Sequence, residues 1–345
     1  MNIAVIGYFA GKEMGNDGQS VKTCTLFNTL KQVNKGRTIR VDTNYLKHNP
    51  LCFAWEFLKI MFSCQKYIVL VSANGRKFLF PIFYFLTKYF NKQVYHDLIG
   101  GRLADETAIN ARLRKYLCAF ESNWVESRLI TNKLKAQGIN NVFYIPNFKK
   151  IEVLTENELP QTFNQPMRFC TFSRVTKKKG ITDAIEAVAE LNKDKILATL
   201  TVYGPIENTY KAEFDQLLKK YKNFCAYGGI IGANEAGNVL KNYDMLLFPT
   251  FWPGEGMPGT VIDALCAGLP ILARRWAYCD EMITHLKTGL VYDFDKPEEL
   301  KTWLEYALKH PQEIYEMRKN CLTAGKAYTE KTVLPQILKI LEEEK

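Results

Sequence analysis

From Phe248 to Arg275 the chain reads Phe-Pro-Thr-Phe-Trp-Pro-Gly-Glu255-Gly-Met-Pro-Gly-Thr-Val-Ile-Asp263-Ala-Leu-Cys-Ala-Gly-Leu-Pro-Ile-Leu-Ala-Arg-Arg. Its two carboxylates, Glu255 and Asp263, stand eight positions apart, and Gly256, Met257, Gly259 and Thr260 form a turn between Glu255 and an apolar helix. Glu255 therefore falls just outside the helix and Asp263 falls on it. A glycine-rich loop that feeds a helix N-terminus is suited to anions, because unpaired backbone N–H groups and the positive end of the helix dipole point to one place. Carboxylates beside such a site are poor phosphate ligands but good acceptors for hydroxyl groups. The spacing thus implies a ligand with a diphosphate in its middle and polyols at both ends, the form of a nucleotide sugar.

Other residues have the chemistry to complete such a site. Arg174 and Lys179 follow a strand-like run in Ser173-Arg174-Val-Thr-Lys-Lys-Lys179-Gly180. They could neutralise a diphosphate as its bond to sugar breaks, or belong with Lys177 and Lys178 to a solvated basic loop. Gly15-Asn16-Asp17-Gly18 precedes a helical stretch near Gln19 and reads, from its residues, as a tight turn. This turn lacks the G-x-G-x-x-G dinucleotide fingerprint, which weakens an oxidoreductase reading. His96-Asp97 follows a middle strand, at a position that would deliver both side chains to a cleft, although a strand-end His is often structural. Tyr203-Gly204-Pro205 and Tyr227-Gly228-Gly229-Ile230 end strands with small residues, either as ordinary turns or to let backbone approach a nucleotide, which makes Gly228 and Ile230 candidate contacts. Asp293-Phe-Asp295 looks like a metal-binding D-x-D element but reads better as a strand running into a loop.

The elements that must carry these residues alternate between short apolar strands and helices, the pattern of parallel α/β sheets. Strands are expected near Ile3 to Gly7, Thr38 to Asp42, Tyr67 to Ser72, Gln93 to His96, Ala119 to Ser122 and Val142 to Pro146. A linker from Lys149 to Met167 leads to a second series near Phe169 to Ser173, Leu200 to Gly204, Phe224 to Tyr227, Met245 to Pro249 and Ile271 to Ala273. Two Rossmann-like halves follow, with ligands expected at the carboxyl ends of the strands. At 345 residues and 47% hydrophobic composition, the chain can form two cores. Its nine cysteines show no CxxC pair and read as reduced thiols of a cytosolic protein. Met1 leads straight into a strand-like run, which does not read as a secretion signal.

The net charge of +10 is uneven: residues 1–150 hold 22 Lys+Arg against 9 Asp+Glu, or +13, and residues 151–345 hold 24 against 27, or −3. An anionic partner for the first half follows, and the absence of any helix-turn-helix, zinc-finger or RNP motif favours a membrane surface over nucleic acid. The aromatic run Phe78-Leu-Phe-Pro-Ile-Phe-Tyr-Phe-Leu86, bracketed by Arg76, Lys77, Lys88 and Lys92, is too short to span a bilayer. Its pattern fits a buried crossover helix or an interfacial segment.

With Arg174, Lys179-Gly180, Glu255 and Asp263 in place, the sequence resembles the retaining glycosyltransferases of family four, which have the two-domain GT-B fold. Further points of likeness occur in order: Asn16-Asp-Gly-Gln-Ser-Val-Lys-Thr, His96-Asp97, Ser122-Asn-Trp and Ile145-Pro-Asn147. The resemblance implies an α/β GT-B fold with two Rossmann-like domains facing across a donor and acceptor cleft. The domains would be 1–150 and 151–327, with a terminal helix from about 328 crossing back to the first. It implies catalytic roles for His96, Asp97, Arg174, Lys179 and Glu255, and donor contacts from Gly18, Gly228, Ile230, Gly256, Met257, Gly259, Thr260 and Asp263. Asp263 replaces the second glutamate of the family's Glu-x7-Glu element and is one methylene shorter.

The family requires neither a metal nor another cofactor. The expected activity is retaining transfer of a sugar from a nucleoside diphosphate sugar to a saccharide acceptor in capsular or exopolysaccharide assembly. The acceptor is expected to be polyprenyl-diphosphate-linked, and the protein to lie peripherally on the inner face of the cell membrane, without nucleic acid as a partner. A nucleotide-sugar epimerase of the same fold and a non-catalytic nucleotide-sugar-binding protein are the alternatives.

Overall fold

The computed structural model describes residues 2–10, 18–232 and 235–342, with Lys47 described in its backbone only. Residues 15–17 of the N-terminal turn lie outside the described residues. The chain divides into two compact units, unit 1 comprising 1–150 and 333–345 and unit 2 comprising 151–332.

Unit 1 holds β1 (Ile3–Gly7), β2 (Thr38–Asp42), β3 (Lys66–Leu70), β4 (Gln93–Asp97), β5 (Ser122–Val125) and β6 (Val142–Tyr144) in one sheet of order β2-β1-β3-β4-β5-β6. Each neighbouring pair is parallel; Ile3, for example, registers with Thr38 on one side and Lys66 on the other. Every residue of β1 and β3 is buried, as a sheet covered by helices on both faces requires. The expected strand at Ala119 to Ser122 is displaced. Asn110 caps the helix Ala111–Ala119 by accepting from the Leu113 N–H, and that helix runs on until the Phe120 N–H donates to the Tyr116 carbonyl. The strand then forms one turn later, where Trp124 is fully buried beside Tyr95. The other expected strands match the observed ones to within a few residues, and Ser72 caps the helix Ala73–Phe90 rather than ending β3.

Unit 2 holds β7 (Met167–Phe172), β8 (Ala198–Tyr203), β9 (Cys225–Gly229), β10 (Met245–Phe248), β11 (Ile271–Arg274) and β12 (Gly289–Tyr292) in the order β12-β11-β10-β7-β8-β9, again all parallel. The chain starts at β7 in the middle, builds outward to β9, then returns to β10 on the other side. The strand order thus reverses between β7 and β10, the place where ligands of open α/β sheets bind. Arg174 and Lys179 follow β7, and Glu255 follows β10.

Two connections run between the units. Residues after Ile151 pack on unit 2 instead of forming a loose linker: the Leu154 N–H donates to the Cys266 carbonyl at 2.9 Å, and Leu159 is buried. At the other end, buried Tyr328 donates its hydroxyl to the Glu281 carbonyl at 3.1 Å, which keeps residues 328–332 with unit 2. From Val333 onward the helix Glu330–Glu342 packs on unit 1, where Val333, Ile337 and Leu341 join Leu26, Leu30 and Phe148 in one core. The spacing of four residues puts these three on one helix face. The Lys66 ammonium, buried in the sheet, donates to the Leu341 carbonyl at the helix end. Ile337→Ala should cost unit 1 about 2–5 kcal/mol, read as a lower urea midpoint for hydrogen exchange of the β1 and β3 amides. An unchanged midpoint would show that the helix contributes nothing to this core.

Candidate functional site

In unit 2 the loop after β7 is held against the loop after β10 by close backbone packing. Gly180 has φ +71°, and a Cβ there would lie 2.2 Å from the Pro249 carbonyl oxygen, so only glycine fits both the conformation and the gap. The Phe251 N–H donates to the Lys178 carbonyl at 3.0 Å. These contacts bring Lys179 Nζ to 2.5 Å from Glu255 Oε2, with side chains only 13% and 10% exposed. The fully buried Thr250 donates from Oγ1 to the same carboxylate oxygen at 3.1 Å. A cation and a carboxylate from two separate loops therefore form one hydrogen-bonded pair where the strand order reverses. Arg174 is exposed and, among the described residues, has no ion-pair partner, which leaves its guanidinium available to an anion.

The helix Gly259–Cys266 points its N-terminus into the same region. The Thr260 hydroxyl donates to the Phe172 carbonyl, which ties the first turn to the end of β7, two residues before Arg174. The Val261 and Ile262 N–H groups donate to the Pro258 carbonyl, whereas those of Gly259 and Thr260 have no backbone partner among the described residues. No side chain caps this helix. Such an end presents donors and positive dipole to an anion. Asp263 is buried on this helix and Met257 is buried in the loop before it.

Beyond Glu255 lies a cavity of about 430 Å³ lined by Trp252, Glu255, Arg275, Trp276, Asp280 and Phe294, all from unit 2. Trp276 donates from Nε1 to the Gly256 carbonyl at 2.9 Å, so the cavity wall also fixes the glycine-rich loop. Arg275 and Asp280 are ion-paired at its rim. Aromatic surfaces next to charged hydrogen-bonding groups suit a sugar ring, which has apolar C–H faces and a hydroxyl edge.

At the opposite side of the sheet, the β8 and β9 ends explain the small residues found there. A Cβ on Gly228 would fall 2.1 Å from the Tyr203 ring, and one on Gly204, at φ +127°, would fall 1.9 Å from the Ser173 carbonyl oxygen. Both glycines are thus demanded by packing, and the 55%-exposed Ile230 follows as an open apolar surface. Asp293 pairs with Lys296 at 3.4 Å, and no group of three or more His, Cys, Asp and Glu able to hold a metal occurs among the described residues.

Gly18, His96 and Asp97 belong to unit 1. Gly18 opens the helix Gly18–Val33, exposed and with nothing within 4 Å of where its Cβ would be, so packing in the described residues does not demand glycine there. His96 departs from the expectation of a side chain delivered to a cleft: it is fully buried, with its ring edge-on to Phe80 at 5.0 Å. Burial, with Arg76 and Lys22 nearby, holds its pKa well below the usual imidazole value, so it is neutral. Asp97 is also buried, and Lys22 Nζ lies 2.7 Å from it and 2.8 Å from Glu126. Burial pushes the Asp97 carboxyl up to about 6 against the opposing attraction of Lys22. The two carboxylates outweigh the burial penalty on Lys22 and raise its pKa.

Thr250, Trp276, Lys22 and Glu126 were not evident as site-building residues from sequence. Thr250 had a signal in its place directly after the β10 run. Nothing in the local pattern marks Lys22 as a buried cation.

Residues 156–328, half of the chain, match the family model described as glycosyl transferases group 1. The amylovoran biosynthesis glycosyltransferase AmsK of Erwinia amylovora is 27% identical over 177 residues, covering 47% of this chain and 41% of that protein. The alpha-monoglucosyldiacylglycerol synthase of Acholeplasma laidlawii is 27% identical over 194 residues, covering 55% of this chain and 47% of its own. The matches thus span less than half the length of these curated relatives. Anabaena HepE, solved in complex with UDP, superimposes with a TM-score of 0.75 at 13% identity over 99% of both chains. This likeness shows the fold, GT-B.

Gly180→Ala should destabilise unit 2 by more than about 1 kcal/mol in urea unfolding, because it adds strain at positive φ to a clash with Pro249. Unchanged stability would contradict the close approach. Titration gives a second expectation. Unfolded chains protonate His96 below about pH 6.5 and the folded chain does not, so its contribution to stability is lost as pH falls through that value. Asp97 acts in the opposite sense, since its raised folded pKa favours the folded state as pH falls from about 6. His96→Gln removes only the first effect. Its stability should therefore gain on the original protein by about 1.4 kcal/mol per pH unit below pH 6.5, and parallel pH profiles would refute a buried neutral imidazole.

Proposed function

The chain belongs to the glycosyl transferases group 1, and from that premise we propose that it moves a sugar from a nucleoside diphosphate sugar to a saccharide acceptor. The observation that carries this reading is the meeting of Lys179 and Glu255 at 2.5 Å beside a helix N-terminus without a side-chain cap. A diphosphate entering this region would be drawn by Arg174, Lys179 and the Gly259 and Thr260 N–H groups, none of which needs a metal to supply positive charge. As the sugar–phosphate bond breaks, negative charge grows on the leaving diphosphate, and these donors stabilise the transition state more than the ground state. Lys179, once it turns to the diphosphate, releases Glu255 to accept hydroxyl hydrogen bonds from the transferred sugar in the adjoining cavity. Asp263 is assigned to the ribose and Gly228 and Ile230 to the base side.

Transfer is assigned with retention, by attack on the same face from which the diphosphate leaves. In that route the bond from the acceptor oxygen to the anomeric carbon forms as the sugar–phosphate bond breaks, and the acceptor proton passes to the leaving phosphate oxygen. No protein nucleophile is then required. The acceptor is assigned as a lipid-linked saccharide, polyprenyl-diphosphate-linked in capsular or exopolysaccharide assembly, reached from the inner membrane face. Support comes from the +13 charge of residues 1–150 and from the names of relatives that build amylovoran and a glucosyl lipid. No helix among the described residues is long and apolar enough to cross a membrane.

Arg174→Ala and Glu255→Ala should each lower donor-dependent transfer at least about a hundredfold while each variant remains folded. Transfer at the original rate by either folded variant would remove the assigned roles. Conversion of donor without acceptor into an epimeric nucleotide sugar would instead identify an epimerase.

A further inference from the structure

Two helices of unit 1 carry apolar side chains on the face that is normally polar. In the helix Pro50–Ser63, Phe53, Phe57 and Ile60 are buried while Leu51, Trp55, Leu58 and Phe62 are exposed. In the helix Ala73–Phe90, Leu79, Phe80, Phe83 and Leu86 are buried while Phe78, Ile82, Phe85 and Tyr89 are exposed. Both exposed sets repeat at i, i+4, i+7 and i+11, which aligns each along one helix face. Phe62 is 84% and Phe78 73% exposed, so these are whole side chains in solvent and not the edges of core residues.

The helices are neighbours. Both follow crossovers that step in the same direction, from β2 to β3 and from β3 to β4, so both cover one face of the sheet. Phe57 and Phe83 meet between them with ring centroids 5.7 Å apart. The helices contribute nine of the nineteen large hydrophobic side chains that are exposed among the described residues, a concentration that scattered surface residues do not give.

Charge selects the occupant. Residues 50–92 contain six Lys+Arg and a single acid, Glu56. Lys59 lies 5.1 Å from the Trp55 ring and Lys88 lies 5.3 Å from that of Tyr89, so cationic heads stand directly beside the exposed aromatics. Glu56 is half-buried, and burial and Asp42 raise its carboxyl against the pull of Arg40 and Lys59, which leaves it the single acid on the two helices. A second copy of this chain would bring an identical basic rim against this one. A bilayer of anionic lipid offers both an apolar interior for the rings and phosphates for the lysines.

We propose that this two-helix face seats unit 1 on an anionic membrane surface, with Trp55, Phe62, Phe78 and Phe85 entering the boundary between headgroups and acyl chains while Lys59, Lys77 and Lys88 meet lipid phosphates. The assignment rests on the lipid-linked acceptor reading for its purpose, but the binding itself requires neither donor nor acceptor. The test is co-sedimentation of the full chain with vesicles of phosphatidylglycerol and phosphatidylcholine, compared with phosphatidylcholine alone.

The protein should pellet with the mixed vesicles, and less so at high salt. Phe62→Ser/Phe78→Ser/Phe85→Ser and Lys77→Glu/Lys88→Glu should each weaken vesicle affinity about tenfold or more without lowering the melting temperature, because every altered side chain is exposed. The proposal is overturned if the original protein stays in solution, or if the folded aromatic variant binds vesicles as tightly. It is also overturned if the face proves to hold a dimer that this variant dissociates, with no vesicle binding in either form. Transfer to a soluble saccharide separates the two readings. Variants that lose vesicles and keep turnover support the face, whereas an original protein that pellets but transfers nothing leaves the face in place and removes the proposed activity.

Discussion

The contact between Lys179 and Glu255 depends on how two loops of unit 2 are forced together. Where the strand order reverses, the loops after β7 and β10 are drawn together by the glycine that permits Pro249 to approach. Once that approach is fixed, a lysine from one loop and a glutamate from the other meet at low exposure, with Thr250 oriented toward the same oxygen. The helix Gly259–Cys266 is then tied to β7 through Thr260. Charge, helix dipole and an aromatic cavity thus converge because of one backbone contact, and the side chains need no long-range adjustment to form a site.

Unit 1 follows a different logic. Its interior holds charges that a sheet core usually excludes, with Lys22 between Asp97 and Glu126, and Arg76 paired with Glu106. Breaking such a buried set leaves an unpaired charge and is costly, so it holds the ends of β4 and β5 in one arrangement. The outer helices carry apolar side chains on both faces, with Phe57, Phe80 and Phe83 buried and Phe62, Phe78 and Phe85 exposed. Both features persist through a single sheet whose order needs no unusual connection.

The alternation of apolar runs and helical segments made two parallel sheets legible in the sequence, since buried parallel strands read as short hydrophobic stretches wherever they occur. Lys179-Gly180 and Glu255 were legible as chemistry, because a glycine beside a cation and a carboxylate before a glycine-rich turn are local signals. The burial of His96 was not legible. It depends on Phe80 from another helix, and a strand end gives no sign of which side chains will cover it. The displaced β5 has a similar cause: Leu117 to Phe120 is apolar enough for a strand, but the helix started by Asn110 claims it first. The aromatic run near Phe78 carried the pattern of a crossover helix, and the helix does cross over. Exposure of its second stripe comes from having only one sheet to cover, which is a tertiary fact.

In the proposed reaction Lys179 exchanges Glu255 for the diphosphate of a nucleotide. Calorimetric titration of UDP and GDP into the protein and into Lys179→Met measures this exchange. One of these nucleotides should bind the original protein and bind Lys179→Met about ten- to hundredfold more weakly, as expected for loss of one charge-assisted hydrogen bond. Equal affinity in the two proteins, with both folded, would contradict it.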